Sequence, residues 1–161
     1  MSQVSVTDVA KYILEHQGAI TTMKLQKLAF YSHAWHLAWT DEPLVREQFR
    51  AWRNGPVCYE LFDLHRGNLM IDASSFKFGE PSHLSDDQKA SIEAVLKAYG
   101  KLSGGQLSEL THEEAPWKDA RASAESAENP SDRIDDEVLK TFFRNQINSG
   151  VEIDEVSWLK A

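Results

Sequence analysis

Residues 22–40 read TMKLQKLAFYSHAWHLAWT, and this stretch decides the fold. Leu25, Leu28, Ala29, Ser32, Trp35, His36 and Trp39 recur at spacings of three and four, so they share one helical stripe. Phe30 and Leu37 add a second apolar side. A helix that is apolar around most of its circumference has to be buried. The stretch therefore predicts the central helix of the core, about residues 22–40, opened by Thr21 or Thr22. Lys24 and Lys27 are expected on its polar strip.

Upstream, Ser5 with Asp8 reads as a capping-box start, and Gly18 as the stop, of a helix that turns Val6, Val9, Ala10 and Ile13 inward. Downstream the period changes. Phe49, Ala51 and Arg53 alternate with Arg50, Trp52 and Asn54, which predicts a short strand near residues 47–53. Asn54-Gly55-Pro56 reads as the break, with Gly55-Pro56 fixing the turn into a helix that carries Val57, Leu61 and Leu64 and stops at Gly67. Residues 68–84 read as a loop with room for a second short strand. Ser85 with Gln88 opens a helix ended by Gly100, its stripe being Ile92, Val95, Leu96 and Tyr99. Ser103 opens a short helix through Leu107 and Leu110, and Pro116 fits the first turn of another that holds Trp117. Residues 122–133, small and polar, read as a loop. Residues 135–148 read as the last helix, with Val138, Leu139, Phe142 and Phe143, and residues 149–161 as an acidic tail. The sum is a mainly α, compact single domain over residues 1–161, its core about 5–148, with a minor β element.

Composition narrows the class. A chain of 161 residues suits one domain. Its single cysteine, Cys58, excludes an intrachain disulfide. The N-terminus lacks the pattern of a signal peptide, and no apolar run reaches the ~18 residues of a membrane span. A cytoplasmic protein is expected. Residues 1–79 hold 8 Asp/Glu and 8 Lys/Arg, while residues 80–161 hold 17 and 9, so the second half carries the whole net charge of −8. Such a surface repels phosphate backbones, which argues against nucleic acid as a partner. It suits a basic protein partner or a solvated face.

No catalytic constellation stands up. His33 and His36 lie three apart and can share a helix face, the minimum for a divalent metal in a small metal-dependent hydrolase. No carboxylate stands at a matching position on the same helix, and His36 sits in the apolar stripe, so buried, hydrogen-bonded histidines are the expectation. His112-Glu113-Glu114 starts like a zinc-protease helix, but the second ligand position holds Pro116, which cannot ligate. Thr111 with Glu114 reads there as a capping pair. Cys58 near a helix start has no visible base, and Ser103-Gly104-Gly105 lacks the lysine and spacing of a phosphate loop. No catalytic residue, metal or cofactor is expected. Trp52, Arg53, Tyr59, Trp117 and Arg121, in contrast, are the residue types that dominate binding hot spots.

Three segments carry a family likeness. They are Met23-Lys24-Leu25-Gln26-Lys27-Leu28 with Tyr31 and Trp35-His36-Leu37-Ala38; Phe49-Arg50-Ala51-Trp52 with Gly55-Pro56-Val57 and Glu60-Leu61-Phe62; and Leu107-Ser108 to Leu110-Thr111-His112 with Pro116-Trp117 and Ala120-Arg121. Their order and spacing, over residues 5 to about 146, resemble the Panacea-domain antitoxin family, which includes SocA-like and phage-associated GepA-like proteins. The resemblance implies a binding protein whose partner is a cognate toxin encoded nearby. It also implies, for some members, delivery of a partner to an ATP-dependent protease. Many members carry an additional N-terminal DNA-binding domain. This chain starts at the family domain directly, which argues against autorepression.

Gly55-Pro56 and Pro116-Trp117 are expected to be scaffold, as are Trp35 and Trp117. The partner is expected to meet Trp52, Arg53, Tyr59, Glu60, Glu113 and Arg121.

Overall fold

The computed structural model describes residues 4–128 and 130–148. Chain order runs through α1 (Val6–Gln17), β1 (Ile20–Thr21), α2 (Thr22–Thr40), β2 (Phe49–Trp52), β3 (Gly55–Cys58), α3 (Tyr59–His65) and β4 (Met70–Ile71). A 3-10 turn at Pro81–His83 leads to α4 (Asp86–Tyr99), α5 (Gly104–His112), α6 (Ala115–Ala124), β5 (Arg133–Ile134) and α7 (Asp136–Asn148). The fold is mainly α with a minor β part, as the residue pattern predicts. The acidic tail read over 149–161 lies outside the described residues.

α2 is the axis of the core. Residues 25–38 are buried without interruption, and α1, α4, α5 and α7 pack on it. Thr21 caps its start: the Lys24 backbone N–H donates to Thr21 Oγ1 at 3.1 Å. Trp35 Nε1 donates to Tyr99 Oη at 2.9 Å, and the Tyr31 and Tyr99 rings stack with centroids 4.4 Å apart. Phe143 of α7 meets both Tyr31 and Trp35 edge-on. The helix starts follow local chemistry. Ser5 with Asp8, Ser85 with Gln88 and Ser103 with Gln106 each close a reciprocal capping box.

The β part is larger than the alternation suggests. The expected strand is β2, but it lies between β3 and β5 in an antiparallel sheet of order β3-β2-β5, and β1 pairs with β4. The turn is Arg53-Asn54, not Gly55-Pro56, because Trp52 pairs with Gly55 and Ala51 with Pro56. Gly55 has φ +113°, and a Cβ there would stand 2.5 Å from Lys27 Cε and 2.9 Å from Thr111 Oγ1. It is glycine because the strand backbone lies directly on a side chain of α2. Pro56 is tolerated because β3 is an edge strand. Val57 therefore belongs to β3, and the helix begins at Tyr59.

Two further expectations fail for tertiary reasons. Lys27 is not on a polar strip: it is 1% exposed, because the Gly55 backbone of β3 lies directly on its side chain. Thr111 and Glu114 do not cap one another. Thr111 Oγ1 donates to the Ser108 carbonyl at 2.7 Å, and Glu114 accepts from Tyr31 Oη at 2.6 Å.

Candidate functional site

Gln26 joins α2 to the hairpin. Its Oε1 accepts the Cys58 backbone N–H at 2.9 Å, and its Nε2 donates to the Cys58 carbonyl at 3.2 Å. One side-chain amide thus occupies both backbone groups of an edge-strand residue. The same Nε2 lies 3.0 Å from His65 Nε2. An amide nitrogen can only donate, so His65 Nε2 accepts and the ring is neutral. Burial, and secondarily the Lys27 charge, lower the His65 pKa, which agrees with that tautomer.

Beside this lock, the first turns of α2, the hairpin and α3 enclose an open cavity of about 270 Å³. Met23, Val57, Trp52 and Phe62 give it apolar walls, and Gln26, Lys27 and His65 also line it. Arg53 and Asn54 of the turn contribute to its lining as well. Burial pushes the Lys27 ammonium from 10.5 down to about 8.

An aromatic cluster stands beside the cavity. The Trp52 and Phe62 rings meet edge-on with centroids 5.1 Å apart, and Tyr59 lies 6.4 Å from Trp52 and 6.3 Å from Phe62. Arg66 covers Phe62 and donates from Nη2 to Tyr59 Oη at 3.1 Å. Tyr59 is 44% exposed. Leu69 and Met70 are exposed as well, on the segment whose Leu69 carbonyl accepts the Thr22 N–H at the start of α2. Exposed aromatic and aliphatic side chains gathered around a cavity mark an interaction surface.

The structure brings four of the expected partner residues to this region. Trp52 and Arg53 line the cavity, Tyr59 joins the aromatic cluster, and Glu60 follows Tyr59 in the exposed first turn of α3. Glu113 and Arg121 do not join them. Glu113 lines a separate cavity of about 230 Å³ with Leu102, Gln106, Glu109 and Leu110. Arg121 Nη1 donates to the Ala51 carbonyl at 3.0 Å, one turn of α6 after Trp117 Nε1 donates to the Trp52 carbonyl at 2.8 Å. These two side chains hold α6 to consecutive residues of β2. Sequence reasoning missed Lys27, Phe62 and His65. For Lys27 a signal existed: it is the single charged residue between 25 and 38, in a stretch with no polar face.

The histidines of α2 are engaged separately. His33 Nε2 lies 2.8 Å from Asp136 Oδ1, and its Nδ1 accepts the Val45 N–H. His36 Nδ1 lies 2.8 Å from Ser91 Oγ, and burial lowers its pKa. Among the described residues, no group of three or more His, Cys, Asp or Glu side chains is placed to hold a metal ion. Cys58 is fully buried, and burial pushes its thiol pKa up, away from nucleophilic use. Among the described residues no helix is long and apolar enough to cross a membrane.

The family model for SocA-like antitoxins with a Panacea domain matches residues 25–118, from α2 into α6. The antitoxin SocA of Caulobacter vibrioides (strain NA1000 / CB15N) is 29% identical over 158 residues, spanning 89% of this chain and 84% of that protein. No solved structure matches the chain.

Proposed function

Because the chain belongs to the SocA-like, Panacea-domain antitoxin family, we propose that it is an antitoxin that neutralises a cognate toxin by direct protein–protein binding. The observation that carries the reading is the aromatic face made by exposed Tyr59 with half-buried Trp52 and Phe62, set beside an open cavity on a rigid support. Gln26, Trp117 and Arg121 fix the hairpin backbone from two sides, so the binding groups are held before a partner arrives. Such preorganisation reduces the ordering cost of association. In this reading Trp52, Arg53, Tyr59 and Glu60 meet the toxin, residues 1–161 act as one antitoxin domain, and the setting is cytoplasmic.

The test is a growth assay. The adjacent open reading frame is expressed alone and then with this chain, and colonies are counted. Toxicity relieved by co-expression, with co-purification of the two products, is the expected result. A toxic neighbour that is neither relieved nor bound by this chain overturns the reading. A toxin half-life that lengthens when this chain is deleted would assign it to proteolytic delivery instead.

A further inference from the structure

We propose that the cavity over Lys27 receives a carboxylate side chain of the toxin, carried beside an apolar residue that lies against Trp52 and Phe62. The proposal rests on the antitoxin reading and names the chemistry of its contact.

Lys27 is the reason. Its side chain is 1% exposed, and among the described residues its ammonium has no hydrogen-bond or ion-pair partner. An unpaired buried ammonium is costly, and an apolar side chain of similar length would fill the same space without that cost. The amine is also kept from a partner within the chain. Gln26 is used up by the Cys58 backbone, and the neutral His65 nitrogen is used by Gln26. Lys27 lines the open cavity.

The lining defines the missing group. It includes no acidic residue, and its charged members are Lys27 and Arg53, in a chain whose net charge is −8. A local cationic pocket in an acidic molecule selects an anion by contrast with everything around it. Beside apolar walls, the anion meets the two cations Lys27 and Arg53, with the Asn54 amide and the Trp52 indole as further neutral donors. That suits a singly charged carboxylate with a greasy neighbour better than a phosphate, which demands more donors. The exposed Met23, Leu69 and Met70 extend the apolar surface where the flanking residue of a polypeptide would lie.

The experiment uses two probes on the full chain, 3-phenylpropanoate and its neutral amide, with the Trp52 indole N–H followed by NMR at pH 7. The acid is expected to bind about 10-fold tighter than the amide, as a desolvated charge pair allows. The preference should vanish in Lys27→Met. In the unmodified protein it should fade as pH rises from 7 to 10, because Lys27 loses its proton. Arg53 keeps its charge over that range, and His65 is already neutral. This pH series decides the matter even where the variant folds poorly. Equal affinity for acid and amide, or a preference that survives both Lys27→Met and high pH, overturns the proposal. In cells, Lys27→Met should lose toxin neutralisation. Full rescue by a variant that no longer prefers the acid would make the occupant a small free acid and overturn the assignment to the toxin. Acid binding that strengthens when Glu152, Asp154 and Glu155 are replaced by glutamine would give the cavity to this chain's own tail, and also overturn it. Failure of the unmodified chain to rescue growth counts against the antitoxin reading alone and leaves the acid-versus-amide result standing.

Discussion

Lys27 and Tyr31 stand one turn apart on α2, and the two regions around them treat a buried charge in opposite ways. Around Tyr31 the polar groups close on one another. Its hydroxyl donates to Glu114, its ring stacks on Tyr99, and Tyr99 accepts from Trp35. Burial raises the Glu114 carboxyl to about 8, the Tyr31 hydrogen bond opposes that rise, and Glu113 adds to it. The carboxyl is therefore mostly protonated at neutral pH, on a half-buried residue at the edge of the core. Around Lys27 nothing closes. The ammonium stays mostly charged at neutral pH, unpaired, beside an opening. A core that satisfies its own polar groups serves stability, whereas one that leaves a charge facing a cavity leaves room for a partner.

The comparison can be broken at five places. Trp35→Ala should have the largest effect, because it removes a fully buried ring together with the Tyr99 contact. A loss of ~3–5 kcal/mol is expected in chemical denaturation. A loss below ~1 kcal/mol would mean the Tyr31 region is not the closed core described.

Lys27 gives the next effect, and its sign is set by linkage. The folded-state pKa lies near 8 and the ordinary value is 10.5. Between those values the unfolded chain holds more protons, so stability rises with pH across that window. The stability of the natural chain relative to Lys27→Met should therefore climb by about 3 kcal/mol from pH 7.5 to 10.5. Comparing the two chains cancels the titration of every group they share. A flat difference would show that the amine is already paired. Glu114→Gln should give the opposite slope. The raised carboxyl pKa contributes stability that is full below about 4.5 and is lost as pH rises through about 8.

Tyr31→Phe should cost ~1–3 kcal/mol by leaving the Glu114 carboxyl without its donor. The cost should be larger at pH 9 than at pH 6, since the ionised carboxylate depends more on the hydroxyl. Equal costs at both pH values would show that solvent replaces the donor. Tyr59→Ala should have the smallest effect on stability, within ~0.5 kcal/mol, because the ring is half exposed and lies at the surface. Its toxin affinity should nevertheless fall by about 2 kcal/mol in calorimetry. Unchanged affinity would remove the aromatic cluster from the binding face.

Most helices were legible because their signals are local. Ser5, Ser85 and Ser103 cap the chain three residues away, and Gly18 and Gly100 stand just past helix ends. The burial of α2 was legible because a stripe that wraps the helix has nowhere to face but inward. The hairpin was misread because Gly55 and Pro56 usually signal a turn. Here the glycine answers to Lys27 across the fold, and the proline to the position of β3 at the sheet edge. Half of the candidate site was legible as residue type: Trp52, Arg53 and Tyr59 are hot-spot residues wherever they are exposed. Arg121 carries the same signal and is turned onto the backbone of β2.

The sequence by itself determined the helical elements, the buried central helix, the lack of an intrachain disulfide and the family. Capping, periodicity and composition act within a few residues and need no partner from elsewhere in the chain. The tertiary structure decided the pairing of β1 with β4 and of β2 with β5, the burial of Lys27 and the division of the motif residues between scaffold and surface. Those outcomes depend on contacts such as Gln26 with Cys58, 32 residues apart, and Trp117 with Trp52, 65 apart. A side chain's exposure is set by whatever the fold brings against it, and the local pattern holds no record of that neighbour.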